Sequence, residues 1–235
     1  MQIPEYDKTK SSLFNEILAK GKTRYPNEHP WQEMFLTGKL SQDQLKIWAV
    51  NRYYFHAGIP AKDANVFAKL PDDKDAKNMW LEKLQEEAGT EEEQSHPDMF
   101  LDFCEGLGLT RDEVTNAEVF APIRVGVDAY THAARIHPFQ WGVGASVSEY
   151  TVPYKMARML KAFKEHYSYI PEDSLHFWSA HQEADQIHGN IMINLIEKYG
   201  QTEADKALLM DGYMFKLDLH RIMLDTVHYE TVVEK

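Results

Sequence analysis

The feature that most constrains the fold of this chain is a long helical run near the C-terminus. Residues 172–199 contain no proline and one glycine, Gly189, and we interpret them as one helix. At about 100° per residue, His181, Asp185 and His188 fall within an arc of about 60° on that helix. Apolar residues lie on or beside the same stripe: Phe177, Trp178, Met192 and Leu195. The run therefore predicts a helix whose polar stripe is buried inside a helical bundle.

The residue types on this stripe indicate a metal site. Two imidazoles and a carboxylate about one turn apart are how a helix presents metal ligands to a bundle interior. The chain has 11 His and 37 acidic residues, so about 0.08 patterns of the form His-x3-acid-x2-His are expected by chance. The pattern is a hypothesis that needs partners elsewhere in the chain, and an ordinary histidine pair is the alternative.

The rest of the sequence is also dominated by helical periodicity. Ser41 and Gln44 form a capping-box pattern that opens a helix, and Pro60 is expected to kink or break that helix. The predicted loops are short, and the sequence contains neither repeats nor a Gly/Ser-rich linker. We predict one all-α domain over residues 1–235, a bundle of about seven to nine helices.

Composition narrows the class of protein. The net charge of −12 argues against a nucleic-acid surface or an anionic membrane as a partner. The only cysteine, Cys104, rules out an internal disulfide framework and fits a reducing compartment. The N-terminus is polar, and no stretch approaches the 18 uninterrupted apolar residues of a membrane span. We expect a cytoplasmic protein.

A dinuclear site in a bundle needs further ligands from neighbouring helices. Glu149 shares a predicted helical face with apolar residues, where an unpaired carboxylate is costly to bury. Pro153 follows four residues later and deprives the Glu149 carbonyl of its helical donor. We predict local distortion beside a ligand, the alternative being a partly exposed glutamate on a kinked helix.

Three more candidates lie where one predicted helix ends and the next begins. Glu86 and Glu87 close the first helix and His96 opens the second, so all three can point inward. With Trp80 and Leu84 defining the core face, the helical wheel favours Glu87. Solvated glutamates and a loop histidine are the alternatives. The full set of oxygen and imidazole ligands, without a thiolate, suits iron or manganese.

The order of these motifs resembles the heme-oxygenase-like diiron oxidases, in particular the para-aminobenzoate synthase branch. Glu-Glu-x-Gly at residues 86–89, His96, Glu149 with its following proline, and the run from His181 to His188 carry the resemblance. It implies two divalent metal ions (iron, manganese or both), O2 as co-substrate and an external reductant. It also implies Glu86 as the ligand three residues before the glycine.

The same branch is thought to consume an internal tyrosine as its aromatic source. The corresponding stretch here, residues 29–32, contains none, and Tyr25, Tyr53 or Tyr54 are candidates to replace it. The resemblance thus implies a small or self-derived aromatic substrate and, for that branch, para-aminobenzoate formation for folate biosynthesis.

Three other stretches resemble pyrroloquinoline-quinone synthase C, a cofactorless enzyme of the same superfamily. They are residues 51–64, 126–130 and 215–218. This resemblance implies that Arg52, Lys62 and Lys216 hold an acidic substrate, the alternative being ordinary ion pairs. His56 and His181 stand where that enzyme has glutamine, which favours the diiron branch. Analogy with the superfamily also implies a homodimer.

Three hypotheses follow from the sequence. The leading one is a dimetal oxygenase in which the three histidines and the carboxylates hold the metals and O2 reacts between them. The second is a cofactorless oxidase that uses Arg52, Lys62 and histidines to bind and deprotonate an acidic aromatic substrate. The third is a non-catalytic binding protein on the same scaffold.

Overall fold

The computed structural model describes residues 11–24 and 28–234, and for residues 181–191 it describes the backbone only. Tyr25 lies outside this range. Eleven α-helices follow one another in the described part: α1 Ser12–Arg24, α2 Pro30–Leu36, α3 Gln42–Phe67, α4 Lys74–Ala88, α5 His96–Gly106, α6 Arg111–Thr115, α7 Ala121–Ile136, α8 Phe139–Ser146, α9 Val152–His166, α10 His176–Tyr199 and α11 Glu203–His228. The predicted all-α bundle is confirmed. The described part has more helices than the predicted seven to nine, because the sequence pattern did not separate the short helices from their neighbours.

Local sequence signals set several helix ends. The Gln44 backbone N–H donates to the Ser41 hydroxyl at 3.2 Å, and the Ser41 N–H donates to the Gln44 side chain at 2.8 Å, which is the predicted capping box at the start of α3. The end of α4 is set by Gly89, whose φ of 79° suits glycine. These ends depend on residues a few positions apart, and so are readable from sequence.

Proline has different effects at two positions. The helix α3 runs through Pro60 without a break. Near Pro153 the helix predicted around Glu149 is instead divided, with a 3-10 segment, Val147–Thr151, between α8 and α9. Pro153 lies in the first turn of α9, where a missing N–H costs no helical hydrogen bond. The distortion expected at Glu149 is therefore present, because Glu149 lies inside the 3-10 segment.

The helices α8 and α11 cross at close range because glycines face each other there. A Cβ added at Gly144 would lie 2.0 Å from the Leu209 carbonyl oxygen, and one added at Gly212 would lie 2.0 Å from the Trp141 carbonyl oxygen. Both obstacles are backbone atoms, which cannot rotate away. Only glycine allows this approach.

Aromatic residues fill the core between α2, α3, α5, α9 and α10. Trp48 lies at the centre, with ring centroids 5.4 Å from Trp31 and 6.2 Å from Trp178. Phe103 packs edge-on against Trp178 at 5.3 Å. Large rings buried at these distances contribute strongly to stability. In the described part of the chain, no helix is both long and apolar enough to cross a membrane.

We expect Gly212→Ala to destabilise the protein by about 1–3 kcal/mol or more, because the added methyl group meets backbone atoms in a packed interface. Urea denaturation followed by circular dichroism measures the change. Gly126→Ala is the matched control, since its Cβ would meet only the Leu219 side-chain tip at 2.8 Å. Equal stabilities of the two variants would contradict the proposed backbone clash.

Candidate functional site

A buried ion triad connects α3 and α4. The Lys62 ammonium lies 2.7 Å from Asp63 Oδ1, and the Lys83 ammonium lies 2.8 Å from Asp63 Oδ2. All three side chains are at most 1% exposed. Lys62 also donates to the Ser146 hydroxyl at 2.6 Å, and the Trp80 indole N–H donates to the Asp63 carbonyl oxygen at 3.0 Å. Each buried charge therefore has a charged partner.

Two further carboxylates, one on α4 itself and one on the 3-10 segment, lie near Lys83. Lys83 Nζ lies 3.2 Å from Glu149 Oε1 and 3.7 Å from Glu87 Oε1. Glu87 Oε2 in turn lies 3.1 Å from His96 Nδ1, an ion-pair distance. We call Lys62, Asp63, Lys83, Glu87 and Glu149 the buried charge network.

Opposite charges outweigh burial in this network. Burial alone raises the pKa of Asp63, but the two ammonium groups hold that pKa below its usual value. Burial likewise lowers the pKa of Lys83, yet the charges of Asp63, Glu149 and Glu87 raise it well above the usual value. Lys83 is therefore a fixed cation at neutral pH.

The structure brings together some of the predicted metal ligands. Glu87, His96 and Glu149 approach one another around Lys83, and Glu86 is half-buried next to Glu87. The predicted ligands on α10, His181, Asp185 and His188, have side chains outside the described residues. Which glutamate binds a metal stays a prediction.

Among the described residues, one observation favours a metal ion at this site and two argue against it. Glu149 Oε2 is buried and has no hydrogen-bond partner among them, as expected of a vacant ligand oxygen. However, the ammonium of Lys83 already lies against Glu149 and Glu87. No three acidic or histidine side chains in the described part are arranged to hold a metal ion. We therefore derive no step through a metal.

The predicted substrate-binding residues do not all line one cavity. Arg52 lines a cavity beneath the aromatic core, and its Nε donates to His56 Nε2 at 3.1 Å. Lys216 is buried behind the cavity, with its ammonium 4.1 Å from the Phe55 ring centroid and 3.3 Å from the Tyr130 hydroxyl. Burial and the charge of Lys62 lower the pKa of Lys216 well below its usual value.

Neither predicted tyrosine lines this cavity. The Tyr54 hydroxyl donates to Asp128 Oδ1 at 2.7 Å in an outer groove between α3 and α7. Tyr53 is half-buried, and burial raises its pKa. The role of either tyrosine as an aromatic source stays a prediction.

The cavity combines aromatic walls with basic groups, and we call it the basic cavity. Its volume is about 80 Å³. The aromatic and basic residues that line it are Trp31, Phe35, Trp48, Arg52, His56, Tyr154, Lys155, Arg158, Trp178 and His220. Among the described residues that line it, the one acid is Glu28, which lies 2.8 Å from Arg158. An anionic ligand with an aromatic ring matches this lining.

Three basic residues of the cavity, Lys155, Arg158 and His220, were not predicted from the sequence. Burial and the neighbouring Arg52 lower the pKa of Lys155 to about 7. Burial, Lys216 and Arg52 lower the pKa of His220 well below its usual value, and neither of its ring nitrogens has a hydrogen-bond partner among the described residues. The one sequence signal was the spacing of Lys216 and His220, which places both on one face of α11.

Comparison with known proteins identifies the class to which this fold and site belong. The sequence model of the iron-containing redox enzyme family matches residues 46–221, which is more than half of the chain. The chain belongs to that family.

Individual relatives agree with this assignment. The pyrroloquinoline-quinone synthase of Gluconobacter oxydans is 28% identical over 225 residues, covering 95% of this chain and 94% of the relative. The bifunctional coenzyme PQQ synthesis protein C/D of Methylorubrum extorquens is 28% identical over 213 residues; that match covers 90% of this chain but only 57% of the longer relative.

A solved structure from Shewanella denitrificans, a domain of unknown function with a heme oxygenase-like fold, superposes with a TM-score of 0.79 at 19% identity. That match covers 96% of this chain and 93% of the other. The predicted superfamily and the resemblance to quinone synthases are both confirmed.

The buried charge network yields a stability prediction. Asp63→Ala leaves two buried ammonium groups without their shared partner, and we expect it to cost about 3–5 kcal/mol. Asp72→Ala is the control, because that aspartate pairs with Lys77 in full solvent and should change stability little. Chemical denaturation of both variants measures the contrast. Similar losses in the two variants would show that burial does not govern the strength of these ion pairs.

The lowered pKa of Lys155 predicts a pH dependence of stability. Its folded value of about 7 lies below the value of about 10.4 expected in the unfolded chain. Between these values the unfolded chain binds a proton that the folded chain does not, so stability rises with pH. We expect melting temperatures to rise from pH 7 to pH 9.5, and to rise less in Lys155→Met. Lys161→Met, an exposed change on the same helix, should keep the full slope.

Proposed function

We propose that this protein is an oxidoreductase that binds a small acidic aromatic substrate in the basic cavity and oxidises it with O2. The observation that carries the proposal is a cavity with indole walls and a cluster of basic side chains, among them Arg52, His56, Lys155 and His220. The volume of about 80 Å³ is below the ~300–1,000 Å³ of pockets for drug-sized ligands. A compact single-ring substrate fits that volume best.

Arg52 is the group best suited to hold the substrate carboxylate. A guanidinium has five N–H donors in a planar fork that matches a carboxylate. One of them, at Nε, donates to His56. That hydrogen bond makes Nε2 of His56 an acceptor, so a neutral His56 carries its hydrogen on Nδ1. The pair therefore offers N–H groups to an anion.

His220 is the group best suited to take a proton. Its lowered pKa keeps the imidazole neutral at pH 7, which leaves one ring nitrogen able to accept. The substrate loses two electrons and two protons, and O2 takes up both as hydrogen peroxide. The surrounding cations favour the deprotonated substrate, which gives up electrons more readily than the neutral acid. The Gluconobacter relative is a pyrroloquinoline-quinone synthase, and this similarity supports an oxidation of this class.

A second candidate is a metal-dependent oxygenase, favoured by the buried, unpartnered Oε2 of Glu149 and by the description of the family as iron-containing. Glu86 or Glu87, His96 and Glu149 would hold the metals with His181, Asp185 and His188. Bound metal would supply O2 activation. A metal site here requires Glu87 and Glu149 to bind the metal while they also pair with Lys83. For this reason we prefer the first candidate, the metal-independent oxidase.

Binding of an acid tests the role of Arg52. We expect Arg52→Met to weaken binding of 3,4-dihydroxybenzoate by about 10–100-fold, because a hydrogen bond to a charged group is lost. Quenching of tryptophan fluorescence measures the affinity, since three tryptophans of the core, Trp31, Trp48 and Trp178, line the cavity. Arg111→Met, which removes ion pairs to Asp98, Asp102 and Glu105 but does not touch the cavity lining, should bind normally. Catechol, which lacks the carboxylate, should bind both proteins equally.

Oxygen uptake tests the reaction and separates the two candidates. We expect uptake with 3,4-dihydroxybenzoate to persist after exhaustive chelation and to be lost in His220→Phe. Metal analysis of the same sample checks that the chain is metal-free. Uptake that disappears with the metal and returns with iron or manganese would favour the second candidate. A protein that binds the acid but consumes no O2 under any condition would be a binding protein.

A further inference from the structure

We propose that Lys155 is a carbonyl-reactive amine, and that the basic cavity accepts ligands carrying both a carboxylate and a ketone or aldehyde. Lys155 would form an imine with the carbonyl while Arg52 holds the carboxylate. This inference rests on the proposed function, because it assigns a ligand class to the same cavity. It goes beyond that function because imine formation requires neither O2 nor a metal.

The position of Lys155 is unusual for a lysine. The residue is half-buried in the first turn of α9 and lines the cavity. Within the described part of the chain it makes no hydrogen bond and no ion pair. Lysines in folded proteins are mostly exposed, or paired when buried. An amine that faces a cavity without a partner is available to a ligand.

The charges around Lys155 come from three helices and one loop. Arg52 and His56 face the cavity from α3, His220 faces it from α11, and Arg158 follows on α9. Glu28 is the one acid among the described residues that line the cavity, and Arg158 pairs with it at 2.8 Å. The N-terminal end of α9 adds a partial positive charge. These surroundings therefore disfavour the protonated, cationic form of Lys155.

This environment prepares the amine for nucleophilic attack. Burial, followed by the charge of Arg52, lowers the pKa of Lys155 to about 7, so about half of the amine is neutral at pH 7. A lysine that is desolvated and lies next to another cationic group is activated in this way. An exposed lysine, such as Lys161 with a side chain that is 72% exposed, has no such surroundings.

The step balances without an added oxidant or reductant. The Nζ lone pair attacks the carbonyl carbon, the carbonyl oxygen takes up two protons and leaves as water, and a C=N bond replaces C=O. His220, neutral and without a partner among the described residues, can carry one proton from nitrogen to oxygen. The chemical class of ligand is therefore an aromatic oxo acid.

Reductive trapping on the full chain tests the proposal. The protein is incubated at pH 7 with phenylglyoxylate and cyanoborohydride, which reduces only the imine, and is then analysed by intact mass and peptide mapping. We expect one adduct per chain at Lys155, formed at least tenfold faster than any adduct at Lys161. The rate should rise with pH with a midpoint near 7. Lys155→Arg should abolish the adduct, and Lys161→Arg should retain it.

Two control measurements test the role of the carboxylate and the fold of the variant. Benzaldehyde, which lacks the carboxylate, should label Lys155 more slowly, and an equal rate would remove Arg52 from the proposal. Circular dichroism of Lys155→Arg checks that loss of the adduct is not loss of the fold. Adducts spread over exposed lysines at similar rates would overturn the assignment.

The outcome is separable from that of the oxidase proposal. A chain that is trapped at Lys155 but consumes no O2 keeps the imine site and rejects the oxidase. A chain that consumes O2 but is not trapped at Lys155 rejects the imine site alone.

Discussion

The buried pairing of Asp63 with Lys62 and Lys83 is the interaction on which the interior depends. A carboxylate with no solvent exposure would be expelled or protonated without counter-charges, and here two ammonium groups lie within 2.8 Å of it. The triad fixes α3 to α4, and Lys83 extends it to the 3-10 segment through Glu149.

The interior divides into an acidic and a basic part along α3. Near the end of this helix, Asp63 gathers the network in which each lysine has a carboxylate partner. Two to three turns earlier, Arg52 and His56 open onto the basic cavity, where Lys155 makes no ion pair among the described residues. The contrast explains why the pKa of Lys83 is raised and that of Lys216 is lowered, although both are buried lysines. Nearby carboxylates, rather than burial, therefore decide whether the pKa of a buried lysine is raised or lowered.

The sequence predicted what short-range chemistry controls. The capping box at Ser41, the end of α4 at Gly89 and the distortion before Pro153 each depend on neighbours within one turn. The gathering of Glu87, His96 and Glu149 was also anticipated from helix ends and faces. The activation of Lys155 was not, because it arises from Arg52 on another helix and from burial in a cavity. A lysine in the first turn of an amphipathic helix has no sequence feature that distinguishes it from an exposed one.

The charge balance of the network bears on what the site can hold. Its three carboxylates, Asp63, Glu87 and Glu149, face two ammonium groups, Lys62 and Lys83, so the described groups sum to one negative charge. The sequence suggested three carboxylates available to two divalent ions, but it gave no reason to expect lysines among them. A pair of divalent ions carries four positive charges, and one negative charge balances little of that. The buried lysines thus take up charge that a dinuclear centre would need, whereas the basic groups that line the basic cavity are placed to attract an organic acid.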